Sequence, residues 1–260
     1  MKDCIGIEKV VHGRNWDAVH GGYFSDLDVA RPLVETVEDI LARSPADVVV
    51  DLGGGTGFLL SQLASRGVAT PSVMVNLDCS QAQLARTDER GIASVWTSVG
   101  DFRRRDIAGS DARFLYLMRS VLHYVGEEGL SPLLRHLRDQ AREGEFFIHQ
   151  TASFDDEKEA ACLNALYRRM HTHKWYPTVS ELKRRLANAG WHVLAAIPAP
   201  GLSLASEDLA QRYGLDAGEI HRIRDTMEIQ FGEMGDVFRL TPSGFQARLH
   251  YRIYTCTARP

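Results

Sequence analysis

Between residues 51 and 57 the chain reads Asp-Leu-Gly-Gly-Gly-Thr-Gly. Glycines at 53, 55 and 57 let the backbone turn tightly and approach a ligand closely, with the N–H groups of a following helix pointing at it. A dinucleotide-binding GxGxxG turn would place its third glycine at position 58, which is Phe58. The GxGxG spacing therefore favours a ligand without a pyrophosphate. Acidic residues downstream supply matching chemistry. Asp78 is placed to accept both hydroxyls of a ribose. Asp101 could accept from an adenine amino group, with Phe102 covering the ring, although Phe102 also reads as a core residue. Asp51 could pair, directly or through water, with an ammonium group. His123 is a candidate proton acceptor for a hydroxyl nucleophile.

A glycine turn becomes a ligand site only between a strand and a helix. Val48-Val49-Val50 is a short β-branched run suited to a buried strand, and Leu59, Leu60 and Leu63 mark a helix that stops at Gly67. Residues 72–77 predict a second strand ending at Asp78, with Ser80 capping the next helix. A short strand over 94–99 ends in Gly100-Asp101. Residues 112–118 predict a fourth strand, closed by Arg119-Ser120. Ser131 and Pro132 read as the N-cap and first residue of a helix, and 145–150 as a fifth strand. A helix preceding the first strand starts at Arg31-Pro32. Thr178 with Glu181, and Asp216 with Glu219, form capping-box patterns. Residues 191–197 predict a sixth strand and 247–258 a closing one, reached after a break in the alternation of strand and helix. Alternating strands and helices of this kind imply a parallel α/β sheet.

The composition limits the function classes. The 260 residues suit one domain with insertions. The net charge of −4 argues against a nucleic-acid partner. The single basic cluster, Arg103-Arg104-Arg105, reads as a solvated loop. Cys4, Cys79, Cys162 and Cys256 are scattered without metal spacing, which points to reduced thiols and no metal. No apolar signal core or membrane-length run is present, so the expectation is a cytoplasmic protein with no membrane partner.

VVVDLGGGTG, VNLDCS, VGDF and LMRSVLHYV together resemble the successive motifs of class I S-adenosylmethionine-dependent methyltransferases. The resemblance covers roughly residues 31–200 and the closing strand. It implies an α/β, Rossmann-like, doubly wound sheet of seven strands with an antiparallel last strand, plus helical lid insertions. It also implies S-adenosylmethionine as cofactor and S-adenosylhomocysteine as product. Gly53, Gly55 and Gly57 would then pack on the methionine part, Asp78 on the ribose, and Asp101 and Phe102 on the adenine. Arg119 and Ser120 would line the cofactor from the fourth strand. SVLHYVGEEG further resembles the region of small-molecule O-methyltransferases that carries a catalytic histidine. His123 matches that histidine, while Tyr124 and Val125 depart from the Asp and Trp that follow it there.

The expected organisation is an N-terminal lid segment at 1–30 and a methyltransferase domain at 31–260. Helical insertions at about 155–176 and 205–235 would cover the acceptor. Trp16, His20, Tyr23 and Phe24 make the N-terminal segment aromatic enough to close over a site or simply to anchor packing. Candidate acceptor contacts are Tyr23, His149, Trp175, Tyr176 and Phe231, with Gln150, His171 and His173 nearby in the chain. The two last histidines, spaced i, i+2, would face apart on a helix. The expected activity is methylation of a small-molecule acceptor, at oxygen in preference to nitrogen or carbon. The alternative is a non-methylating protein on the same fold that binds the cofactor or its product, or catalyses a rearrangement. A nicotinamide dehydrogenase is disfavoured by Phe58.

Overall fold

The computed structural model describes residues 22–67, 73–87 and 91–259. Trp16, His20 and Cys4 lie outside the described residues. Helix α1 (Leu27–Arg43) opens at Asp26, whose carboxylate accepts from the backbone N–H groups of Asp28 and Val29. It therefore begins earlier than Arg31-Pro32 suggests: Pro32 sits inside it, and the Asp26 cap sets the start. Leu33, Val37, Ile40 and Leu41 form its buried stripe, as their spacing predicts.

Strand β1 (Val48–Leu52) is buried along its whole length and leads through the glycine turn into α2 (Phe58–Arg66). Then follow β2 (Val73–Asp78), the single turn α3 (Gln81–Leu84) and β3 (Ile92–Trp96). Strand β4 (Phe114–Arg119) runs into a 3-10 turn at Leu122–Val125 and α4 (Gly126–Gln140), which contains Pro132 in its interior. The helix thus begins before Ser131, which does not cap it. After β5 (Phe146–Ala152) come α5 (Glu157–Arg169), α6 (Val179–Asn188) and β6 (Trp191–Ala205). The chain continues through α7 (Ser206–Tyr213), α8 (Ala217–Phe231), β7 (Phe238–Leu240) and β8 (Phe245–Ala258). The Asp216–Glu219 capping box is complete. At Thr178 the side chain caps α6, but Glu181 turns its carboxylate to Arg185.

The sheet order is β3-β2-β1-β4-β5-β8-β6, with β7 pairing β8. Strands β1 to β5 are parallel neighbours, and β8 inserts antiparallel between β5 and β6. The described residues thus form eight strands where seven were expected. The additional strand is the three-residue β7, which pairs through Phe238 opposite Ala247. The strand order reverses between β1 and β4, where ligands bind at the carboxyl edge of such sheets.

One face of the sheet is covered by α1 and α2, whose leucines and valines pack on Val49, Leu115 and Ile148. The other face carries α4 and α6 over Val50, Tyr116 and Phe147. A third apolar cluster lies beyond the parallel strands. β5 ends at Ala152 opposite Tyr251, whereas β6 and β8 stay paired as far as Ala205 and Gln246. This overhanging platform carries α5, α7 and α8, packed through Leu163, Leu166, Leu209, Ile223 and Met227. The overhang is what places helices above the carboxyl edge of the sheet.

Arg104 corrects the reading of the basic cluster. Its half-buried guanidinium pairs with Glu145 (2.6 Å) and lies over the Phe114 ring, while Arg105 remains exposed. A planar guanidinium suits such a paired, stacked position. No helix among the described residues is long and apolar enough to cross a membrane, and none of their His, Cys, Asp or Glu groups forms a metal cluster.

Candidate functional site

The cleft at the carboxyl edge has a volume of about 950 Å³ and runs from the glycine turn to α7 and α8. Its floor begins at β1. Gly53 and Gly55 adopt left-handed φ values of +77° and +61°, a region that favours glycine. A side chain at Gly53 would meet Val121 at 2.7 Å, and one at Gly54 would meet Asn76 and Asp51 at 2.4 and 2.5 Å. The second glycine of the run is thus the most tightly enclosed, which the motif spacing did not single out. Gly57 does not line the cleft. It caps α2 with φ +80° and packs beneath the loop against Thr87 and Asn76. Asn76 ties this turn down by donating to the Gly55 carbonyl at 2.9 Å.

Asp78 lines the cleft at the end of β2. It accepts from the backbone N–H groups of Gly55 (3.0 Å) and Ser80 (2.8 Å), which fix the carboxylate's orientation. Asp101 also lines the cleft. It does not end a strand, because β3 stops at Trp96 and the chain reaches Asp101 through a turn in which Ser98 hydrogen-bonds it. Phe102 is core. It is 1% exposed and meets Tyr116 edge-on; Val99 and Gly100 occupy the cleft wall instead.

Asp51 is fully buried, and neither carboxylate oxygen has a hydrogen-bond partner among the described residues. Burial, reinforced by Asp78, pushes its carboxyl up to about 7, and Arg119 opposes this. An unsatisfied buried carboxylate costs free energy unless a donor or a cation meets it. Arg119 and Ser120 line the cleft from β4. Burial lowers the Arg119 pKa, against the opposing pull of Tyr23, Tyr251 and Asp51. Its guanidinium donates to the carbonyls of Phe24 (3.2 Å) and Tyr23 (3.3 Å), and so docks the N-terminal segment onto the sheet edge. Ser120 adopts φ +61° and bonds the Tyr251 hydroxyl, a strained turn of the kind held in place by its surroundings.

The acceptor contacts expected from sequence are placed elsewhere. His123 is 6% exposed and does not line the cleft. The 3-10 turn after β4 spaces successive side chains about 120° apart. Val121 and Tyr124, three apart, therefore share the face that lines the cleft, while His123 stacks on Tyr176 and lies tilted against Tyr124. Tyr23 is buried, donates to the Pro200 carbonyl and stacks on Tyr251; its neighbour Phe24 lines the cleft. His149 is wholly buried between Phe147 on its own strand and Tyr254 on the next. Burial drives its pKa down to about 3. β5 is paired on both edges and covered on both faces, so every side chain after its first is buried, His149 included.

Trp175 lies half-buried under Arg185, and Tyr176 is core. Phe231 ends α8 against the third cluster. None of the three lines the cleft. The end of the cleft away from the glycine turn is formed instead by Tyr124, the His171–Lys174 stretch, and Tyr213 to Leu215 with Glu219. His171 and His173 are not on a helix. His171 sits in a left-handed conformation (φ +57°) that stops α5, and both histidines reach the cleft. The one visible signal for Lys174 was its position in an aromatic-rich connection between two helices.

A family described as "Methyltransferase domain" matches residues 25–196, which is most of the chain. The chain belongs to that methyltransferase-domain family. A sterigmatocystin 8-O-methyltransferase from Aspergillus flavus is 31% identical over 114 residues, 44% of this chain. The match spans only 24% of that relative's length. Among solved structures, a putative methyltransferase from Bacillus halodurans superposes with a TM-score of 0.67 at 12% identity, covering 87% of this chain and 99% of that one. The 1,6-didemethyltoxoflavin-N1-methyltransferase of Burkholderia thailandensis, with bound substrate and S-adenosylhomocysteine, gives 0.57 at 14% identity over 100% and 92%. The magnesium protoporphyrin IX methyltransferase of Synechocystis, with bound S-adenosylmethionine, gives 0.57 at 13% identity over 100% and 99%. At these identities the likeness is one of fold, and the fold is the Rossmann-like sheet of methyltransferases with an antiparallel strand near its edge.

Proposed function

We propose that this methyltransferase takes its methyl group from S-adenosylmethionine and transfers it to a small-molecule acceptor, at oxygen in preference to nitrogen or carbon. The observation that carries the reading is one cleft joining two unlike ends. One end offers the glycine turn with Asp78 and Asp101 lining it and Asp51 buried behind. The other is an apolar, aromatic chamber roofed by α7 and α8.

The residues fit the cofactor. Asp51, buried with both oxygens unsatisfied, suits an ammonium, and Asp78 suits ribose hydroxyls. Asp101, with Val99 and Gly100, suits the adenine edge. Gly53 and Gly55 permit close backbone approach, and Arg119 and Ser120 close the floor. Bound S-adenosylmethionine supplies an electrophilic methyl on its sulfonium. The chain's part is to hold the acceptor in line with that methyl and to exclude water. Phe24, anchored through Arg119, serves as one wall of the closure, and α7–α8 as another. The oxygen preference is supported by the Aspergillus relative's own activity.

A hydroxyl acceptor must lose a proton. His123 is turned away from the cleft, so the imidazoles available for that step are others. His136, which directs Nε2 to the Phe102 carbonyl (3.0 Å) and keeps Nδ1 as an acceptor, lines the cleft with His171 and His173, and these three are the candidate bases.

Calorimetric titration with S-adenosylmethionine, S-adenosylhomocysteine and NADH tests the cofactor. Micromolar binding of the two sulfur ligands without NADH binding is expected. Mass-spectrometric screening of phenols and amines for a gain of one methylene then tests the acceptor atom. Product from amines alone would overturn the oxygen preference.

A further inference from the structure

Among the described residues only two that are not glycine hold left-handed φ values, Ser120 (+61°) and His171 (+57°), and both line the cleft. Such a conformation costs free energy and persists where the surroundings enforce it, which is common at functional sites. His171 follows α5. Ser120 follows Arg119, the last residue of β4, the strand paired with β1, and so stands beside the glycine turn. A side chain at Gly53 would meet the next residue, Val121, at 2.7 Å. Tyr124, four residues beyond Ser120, already belongs to the other end of the cleft. Ser120 therefore sits at the junction of the two ends, where a methyl donor and its acceptor would meet.

The Ser120 hydroxyl has one hydrogen-bond partner among the described residues, the Tyr251 hydroxyl, and Tyr251 has no other for its own. Tyr251 is 3% exposed, whereas Ser120 opens on the cleft. Two hydroxyls carry two protons, and only one lies between them. If Ser120 donated, the phenolic proton would be buried without an acceptor, which is costly. If Tyr251 donates, its proton is satisfied and the one on Ser120 Oγ is left to turn to the cleft. Burial raises the Tyr251 pKa, which keeps the phenol protonated and donating. The neighbouring guanidinium is engaged elsewhere, because Arg119 donates to the carbonyls of Phe24 and Tyr23. The junction thus presents one oriented O–H donor.

We infer that the Ser120 hydroxyl, set by Tyr251, donates to the nucleophilic atom of the acceptor and so selects oxygen over nitrogen. The inference rests on the reading of the cleft as joined cofactor and acceptor sites, and gives the oxygen preference a physical cause. A hydroxyl oxygen has two lone pairs. One accepts from Ser120 while the other attacks the methyl carbon. An O–C bond forms, the C–S bond breaks with its electron pair left on sulfur, and the hydroxyl proton passes to an imidazole of the cleft. The bond from Ser120 stabilises the charge that develops on oxygen as that proton leaves. An amine nitrogen has a single lone pair. A donor that occupies it blocks attack, and a donor that does not is left without a partner. Ser120 is thus a catalytic residue and Tyr251 the residue that positions it.

Matched probes test this: 7-hydroxy-4-methylcoumarin and 7-amino-4-methylcoumarin, which differ only in hydroxyl against amine. Each is titrated by fluorescence into the full chain saturated with S-adenosylhomocysteine, in wild type, Ser120→Ala and Tyr251→Phe. Wild type should bind the hydroxy probe about five- to tenfold more tightly, as for one hydrogen bond. Ser120→Ala should remove that preference. Tyr251→Phe should reduce it about threefold, since Ser120 then loses the partner that aims it. Both probes meet the same bound cofactor product, so their ratio cancels what either substitution does to its affinity. Continued binding of the amino probe shows each variant to be folded. With S-adenosylmethionine supplied instead, competition between the probes should shift at least about tenfold toward the N-methyl product in Ser120→Ala, read by mass spectrometry. Equal affinities in wild type, or a hydroxyl preference that survives in Ser120→Ala, would overturn the proposal and leave the cofactor reading intact. Binding of neither probe to the saturated wild type would overturn the acceptor reading with it. Failure of wild type to bind S-adenosylhomocysteine would overturn the cofactor reading as well.

Discussion

The two ends of the cleft are built in different ways. At the nucleotide end, polar groups are set by backbone close to them in the chain or on the neighbouring strand. Asp78 is oriented by the N–H groups of Gly55 and Ser80, and Asn76 clamps the Gly55 carbonyl. At the acceptor end, Lys174 is positioned by Tyr124, Tyr167 and Tyr213, side chains from three distant elements. A site made of backbone presents fixed dipoles for a ligand that does not vary. A site made of converging side chains can be re-specified by single substitutions without disturbing the sheet. This is the division of labour expected of one cofactor and many acceptors on a shared fold.

The comparison can be broken most forcefully at Asp78. Asp78→Ala removes the carboxylate proposed to accept from the ribose, and S-adenosylhomocysteine affinity should fall by about 10²–10³-fold, as for two charge-assisted hydrogen bonds. Calorimetry measures it, and a loss below about threefold would remove Asp78 from the nucleotide site. The next largest effect concerns the backbone itself. Gly54→Ala would press a methyl onto Asn76 and Asp51, and overpacking of this kind should cost about 1–3 kcal/mol of stability. Chemical denaturation reads that value, and a neutral substitution would show the turn to be looser than its contacts imply.

Asp51 sharpens the comparison through pH. Its carboxyl is pushed up to about 7 in the unliganded protein, so near neutrality it is half protonated. An ammonium favours the ionised form. Cofactor affinity should therefore rise with pH through about 7, being about tenfold weaker at pH 6 than at pH 8, with proton release on binding. Asp51→Asn should flatten that dependence; a profile already flat in wild type would detach Asp51 from the ammonium. The smallest effect is expected at His123. His123→Phe keeps the ring stack with Tyr124 and Tyr176 and should leave turnover within about tenfold of wild type. A general base at that position would instead show a loss of about 10²–10⁴-fold.

Legibility in the sequence follows the same division. β1, the glycine turn and Asp78 are contiguous or one strand apart. Local spacing and β-branched composition specify them, so the α/β fold, the glycine turn and Asp78 at its strand end could be read directly, while the antiparallel strand near the sheet edge and the later motifs came through the family resemblance. The helix starts were less legible. Ser131-Pro132 resembles a cap, yet α4 begins at Gly126 and carries Pro132 within it. β7 was too short to register as a strand.

Side-chain direction lay beyond the sequence. His149 and Lys174 are both buried, and by residue type the histidine is the more obvious active-site candidate. His149 is closed in by neighbours on two strands, whereas Lys174 reaches the cleft because an overhanging β6–β8 platform carries α5 and α7 above the sheet edge. His123 is turned inward by the pitch of a 3-10 turn whose presence no residue pattern announced. Local spacing determined the alternating α/β elements, the glycine loop and the acids that follow it, and the resemblance of those motifs marked the chain as a methyltransferase. Which side chains face the acceptor was decided only by how distant elements pack, because orientation there depends on contacts between residues the sequence keeps far apart.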